Sequence, residues 1–106
     1  MKLKDYQING MSDLFIKDQI DIGNFKAILL DGTPQGAPKK EGYKNLLAID
    51  ELNNIVWIAE IPKSWWSSYQ MMEYKNGELI ALSGSFLCTI NIITGEILSE
   101  RFSPWS

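Results

Sequence analysis

The dipeptide Asn76-Gly77 separates two runs rich in apolar and aromatic residues, 69–74 and 78–82. Asn-Gly accepts positive φ at both central positions of a two-residue turn, and the twist of that turn matches the twist of paired strands, so the segment predicts a β-hairpin. Ser83-Gly84-Ser85 then turns the chain into a third run, 86–91, and Thr94-Gly95 into a fourth, 96–102. Four short strands joined by tight turns read as an antiparallel meander.

The upstream half follows the same plan. Residues 45–50, a turn at Glu51-Leu52-Asn53-Asn54 and residues 55–60 overlie the later third and fourth strands at a shift of 41, which puts Ile49 on Ile90, Asp50 on Asn91, Val56 on Ile97 and Trp57 on Leu98. Residues 26–32 overlie 78–84 at a shift of 52, and a first strand over about 14–22 turns at Gly23-Asn24. The two shifts differ by an insertion, 33–42, whose two prolines and two glycines make it a loop. The matching turn positions argue against a chance alignment. The expectation is a single all-β domain over 1–106 with two four-stranded antiparallel, propeller-blade-like sheets, about 14–61 and about 69–103. A period of this length is that of propeller blades. Closed rings need about four to eight blades, so two make an open half-propeller or a small sandwich.

The stretch Leu46-Leu47-Ala48-Ile49-Asp50, a polar turn, then Ile55-Val56-Trp57 resembles a quinoprotein-type or WD40-like propeller repeat, as does Phe86-Leu87-Cys88-Thr89-Ile90-Asn91-Ile92-Ile93-Thr94-Gly95-Glu96-Ile97-Leu98. The first copy keeps the tryptophan but has Asn53-Asn54 in place of the Thr-Gly turn. The second keeps Thr94-Gly95 but has Leu98 in place of the tryptophan. The likeness speaks to fold and not to a quinone cofactor. In size, charge and repeat plan the chain resembles half-propeller immunity proteins of bacterial contact-dependent growth inhibition systems. That resemblance implies a cytoplasmic protein that binds a cognate toxin domain, 1:1, and blocks its active site.

Charge agrees with such a role. Ten basic residues against thirteen acidic give a net charge of −3, which disfavours direct nucleic-acid binding and suits a basic partner such as a nuclease. With no histidine, the usual general base and commonest metal ligand are missing. The single cysteine, Cys88, excludes an internal disulfide and a CxxC zinc site. No apolar run reaches the roughly 20 residues of a membrane span, and the N-terminus lacks the apolar stretch of a secretory signal, so no membrane contact is expected. Gly32-Thr33-Pro34-Gln35-Gly36 lacks the lysine of a phosphate loop, Ser83-Gly84-Ser85 is not a nucleophile elbow, and Asp50-Glu51 falls short of a calcium loop. No catalytic residue, cofactor or metal ligand is assigned, and an enzyme is the least supported class.

In a blade-like pair, loops sort by parity. One end collects Asp21, Lys26, Asp50, Glu51, Glu73, Lys75, Glu78 and Glu96, six acids against two bases. The opposite end collects Trp65 and Trp66, flanked by Pro62, together with Trp105. Acidic turns would steer a basic partner, and loop tryptophans would anchor one. The candidate partner-binding residues are therefore Asp50, Glu51, Glu73, Glu78 and Glu96 at one end and Trp65 and Trp66 at the other. Two other readings compete: a small peptide- or ligand-binding β module that uses a strand edge, and a homodimer completing a four-bladed ring. The inhibitor reading expects a monomer when free. Residues 1–10, with Tyr6 and Ile8 in alternation, are a candidate cover for an open edge.

Overall fold

Residues 27–30 (Ala-Ile-Leu-Leu) and 46–49 (Leu-Leu-Ala-Ile) are apolar at every position, the mark of strands buried on both faces. The computed structural model describes Leu3 and residues 15–31, 44–62 and 68–102. It makes these two strands the centre of an antiparallel sheet, β1 (Phe15–Ile22), β2 (Phe25–Asp31), β3 (Leu46–Ile49) and β4 (Ile55–Ile58), paired in chain order. A second meander follows: β5 (Met71–Lys75), β6 (Glu78–Ser83), β7 (Phe86–Ile90) and β8 (Ile97–Phe102). The protein is all-β, with two four-stranded antiparallel sheets as expected. Asn76 and Gly77 have φ of 53° and 78°, the pair of positive values that the Asn-Gly turn predicts.

Register refines the repeat. Lys26 pairs with Ile49, and Leu79 pairs with Ile90. With Ile49 equivalent to Ile90, Lys26 corresponds to Leu79, so the shift over the second strand is 53 and not 52. A bulge opposite Ala48 and Ile49 leaves Val56 unpaired in β4, and one opposite Thr89 and Ile90 leaves Leu98 unpaired in β8. The recurring bulge makes Val56 the equivalent of Leu98 and Trp57 the equivalent of Ser99. The expected matches, Val56 with Ile97 and Trp57 with Leu98, are off by one because the β7–β8 turn is one residue longer than the β3–β4 turn.

With period-2 alternation, each strand offers two sets of side chains. From the first sheet, Ala27, Leu29, Leu46, Ala48 and Trp57 pack against Met72, Leu79, Ala81, Cys88 and Ile90 of the second. The corrected repeat places Ala27, Leu29, Leu46 and Ala48 on Ile80, Leu82, Leu87 and Thr89, which belong to the opposite face of the second sheet. Non-equivalent faces therefore meet, and the sheets stack head to tail, as successive blades do. The first sheet's other face buries Ile28, Leu30, Leu47 and Ile49 in a second cluster with Leu3, whose amide donates to the Asn53 carbonyl at 2.9 Å. Leu3 lies in no strand. The rest of the 1–10 cover and the 33–42 loop lie outside the described residues.

Several polar contacts link the two sheets. Asn45, 4% exposed, donates through Nδ2 to the carbonyls of Leu30 (2.9 Å) and Tyr69 (2.8 Å) and accepts the Tyr69 amide at 2.8 Å. The indole nitrogen of Trp57 donates to the Ile92 carbonyl at 2.9 Å, and Gly95 lies against the ring: a Cβ there would sit 2.8 Å from Trp57 Cε3. The β1 bulge between Ile16 and Asp18 re-aims Lys17, whose Nζ donates to the Gln70 carbonyl at 2.9 Å.

Alternation through residues 69–74 predicts Tyr69, Met71 and Glu73 on one face. The structure instead buries Tyr69 with Met72, while Met71 and Glu73 are exposed. The strand begins only at Met71, and Asn45 holds the Tyr69 backbone outside the pleat. Among the described residues, no helix is long and apolar enough to cross a membrane.

Candidate functional site

The β3–β4 turn is built by Asp50. Its Oδ1 accepts the amides of Leu52 (2.8 Å) and Asn54 (2.9 Å), and its Oδ2 accepts Asn54 Nδ2 at 3.3 Å. Asn91, its repeat equivalent, does the same in the β7–β8 turn, where Oδ1 accepts the amides of Ile93 (2.8 Å) and Thr94 (3.3 Å). A side-chain oxygen that takes the amide two residues on is an Asx turn, which an amide serves as well as a carboxylate. Each turn lifts an apolar residue into solvent: Leu52 is 69% exposed and Ile93 is 77% exposed.

Beside the Asp50 turn lies the β1–β2 turn, and the two enclose an open concavity of about 330 Å³. Among the described residues its walls carry Asp21, Asp50 and Glu51 against one cation, Lys26, with Asn24 and Asn53 between them. Lys26 Nζ stands 3.8 Å from Asp21 Oδ1, a loose pair between exposed side chains that contributes little to stability. The side of the turn towards Leu52 forms a shallower hollow with Asn24, Asp50 and Glu51.

The structure divides the predicted acidic end. Asp50 and Glu51 share the concavity with Asp21. Glu73 lines a different groove, on the outer face of the second sheet. Glu78, beside the β5–β6 turn, and Glu96, in the β7–β8 turn, are exposed and line neither. The β7–β8 turn is drawn towards β4 instead: the Glu60 amide donates to the Gly95 carbonyl at 3.0 Å, and the Ile97 amide donates to Glu60 Oε1 at 2.8 Å. Asp50 is also less available than its charge suggests, because its carboxylate closes its own turn. Trp65, Trp66 and Trp105 lie outside the described residues. The fourth tryptophan, Trp57, seals the junction between the sheets.

Three residues escape a reading by charge and motif. Leu52 is legible in hindsight, since it and Ile93 hold the same place in the two turns. Asn45 and Glu60 carry no sequence signal, because their partners lie on strands distant in the chain.

Cys88 is fully buried beside Tyr69, whose hydroxyl donates to the Glu60 carbonyl at 2.5 Å. Burial pushes the Cys88 thiol up to about 11; its hydrogen bond with Tyr69 works the other way, and Glu100 adds to the rise. Burial likewise holds the Tyr69 hydroxyl well above its ordinary range. A neutral, enclosed thiol is a packing group and not a nucleophile. Among the described residues, no three Asp, Glu, His or Cys side chains gather in a metal-binding group.

Comparison with protein-family models, with curated proteins and with solved structures returned no match.

Proposed function

We propose that this chain is a neutralising partner, of the immunity-protein kind, for a basic toxin domain, with a nuclease as the class whose active site an acidic surface fits best. The observation that carries this reading is the concavity at the β1–β2 and β3–β4 turns. Among the described residues its carboxylates, Asp21, Asp50 and Glu51, outnumber its one cation, and Leu52 stands exposed at its margin. Carboxylates in this position would pair with lysines and arginines that otherwise hold phosphates. An apolar residue on a constrained turn adds an anchor with little ordering cost. On this reading inhibition is steric and electrostatic and requires no chemistry from the chain.

The test is a titration of the purified chain into the toxin domain encoded directly upstream, by calorimetry at low and moderate salt, with RNA cleavage followed in the same mixtures. Tight 1:1 binding that stops cleavage supports the proposal. Glu51→Lys should weaken binding about tenfold to a hundredfold at low salt, and its effect should shrink as salt screens the pair. Full inhibition by Glu51→Lys together with Leu52→Asp would move the partner surface away from this end of the molecule.

A further inference from the structure

The head-to-tail stacking leaves one blade face without a described neighbour. The face of the first sheet that carries Ala27, Leu29, Leu46 and Ala48 is buried beneath the second sheet. The equivalent face of the second sheet carries Ile80, Leu82, Leu87 and Thr89. Together with Met71 and Glu73, three of these (Ile80, Leu82 and Leu87) line a groove of about 290 Å³, in which Met71 is 59% exposed, Ile80 and Leu87 are half-buried and Leu82 is 7% exposed.

The charges on this face are arranged in a self-complementary way. Pairing registers put Met71, Leu82, Leu87 and Arg101 in one row across the sheet, and Glu73, Ile80, Thr89 and Ser99 in the next. Glu73 therefore marks the β5 edge and Arg101 the β8 edge, with the apolar residues between them, and the row beyond Glu73 on the same face carries Lys75 paired with Glu78. Both charged residues are exposed, and neither makes an ion pair among the described residues. A two-fold axis parallel to the strands lays the β5 edge of one copy over the β8 edge of another, so Glu73 faces Arg101 twice. Neighbouring same-face rows lie about 7 Å apart along a strand, a span that an arginine side chain covers. A two-fold axis across the strands would lay β5 on β5, setting Glu73 over Glu73 or, one row along, over Lys75, and would leave Arg101 without a part, so reversal at Arg101 separates the two arrangements.

We propose that the outer face of the second sheet, Met71, Ile80 and Leu87 between Glu73 and Arg101, is a self-association surface that receives the same face of a second copy. The contact is isologous and closes as a dimer. It differs from a four-bladed ring. A ring would need the first sheet's outer face, which is already buried with Leu3. One four-stranded face is small for an interface, so the dimer is weak. The proposal does not rest on the toxin reading, which uses the other sheet's turns.

Sedimentation velocity of the full chain, from about 10 µM to about 1 mM, should show the mass rising from 12.1 kDa towards twice that value. Glu73→Arg alone and Arg101→Glu alone should each weaken association at least tenfold, with unchanged circular dichroism. An equimolar mixture of the two variants should recover it, because each contact then joins opposite charges. A monomer at 1 mM would overturn the proposal, and so would association that ignores both reversals or a mixture no tighter than its components.

Discussion

Asp50 and Asn91 show one position solving one problem with two chemistries. Both close an Asx turn through a side-chain oxygen, yet only Asp50 carries charge into the concavity. Asp50→Asn should cost no more than about 1 kcal/mol, because the amide oxygen still accepts both turn amides and, among the described bonds, only the long one from Asn54 Nδ2 is lost, whereas Asp50→Ala should cost about 1–2 kcal/mol as two turn amides lose their partner. Chemical denaturation of the two variants checks this, and the Asn variant then isolates the contribution of charge to partner binding. Cys88 sets a pH dependence. Its thiol stays protonated in the folded chain up to about 11, against an ordinary 9.0, so between these values the unfolded chain binds fewer protons and stability falls as pH rises. Stability should be level below about pH 9 and then decline, and Cys88→Ala should flatten the first part of that decline. Tyr69, raised in the same direction, contributes only above its ordinary value of 10.0. Unfolding curves from pH 8 to 11 read both effects. The turn role of Asp50 was half legible, since its match with Asn91 falls out of the repeat. The burial of Cys88 was legible from its apolar neighbours, but its contact with Tyr69 was not, because Tyr69 breaks the alternation of its own segment.

Among the elements, turns carry the strongest local information. Asn76-Gly77 and Thr94-Gly95 both place a glycine at positive φ, but their surroundings differ. A Cβ at Gly77 meets open space, while at Gly95 it meets the Trp57 ring at 2.8 Å and the Ile58 carbonyl at 3.2 Å. Gly77→Ala should therefore cost about 1 kcal/mol of backbone strain alone. Gly95→Ala should cost about 2–4 kcal/mol, since the ring that seals the two sheets must move. Thermal melts of the pair separate conformation from packing, and equal losses would show that the Trp57 junction yields freely. Strand positions were legible to within about two residues because apolar runs and turn signals are local properties of the chain. The bulges at Val56 and Leu98 were not, nor was the extra residue in the β7–β8 turn that made the alignment slip by one. A bulge exists only relative to the strand it fails to match.

At the scale of the molecule, two meanders become one protein through Asn45. It sits at the start of β3, yet two of its hydrogen bonds cross to Tyr69 ahead of β5. Asn45→Ala should destabilise by about 3 kcal/mol, because it strands buried backbone groups of Leu30 and Tyr69. Asn45→Asp keeps the acceptor but cannot donate, and should be no better; denaturant midpoints decide. The sequence by itself determined the all-β class, the two four-strand units and their turns, because hydrophobic alternation and glycine or asparagine at positive φ act over a few residues. It also determined the net acidity of the chain. Only the tertiary structure decided which strand faces meet, that Asp50 and Glu51 share a concavity with Asp21 while Glu73, Glu78 and Glu96 do not, and that Trp57 and Asn45 hold the sheets together. Both faces of β2 and β3 are apolar, so alternation alone cannot say which face meets the second sheet. That choice rests on close packing and hydrogen-bond pairing between residues far apart in the chain.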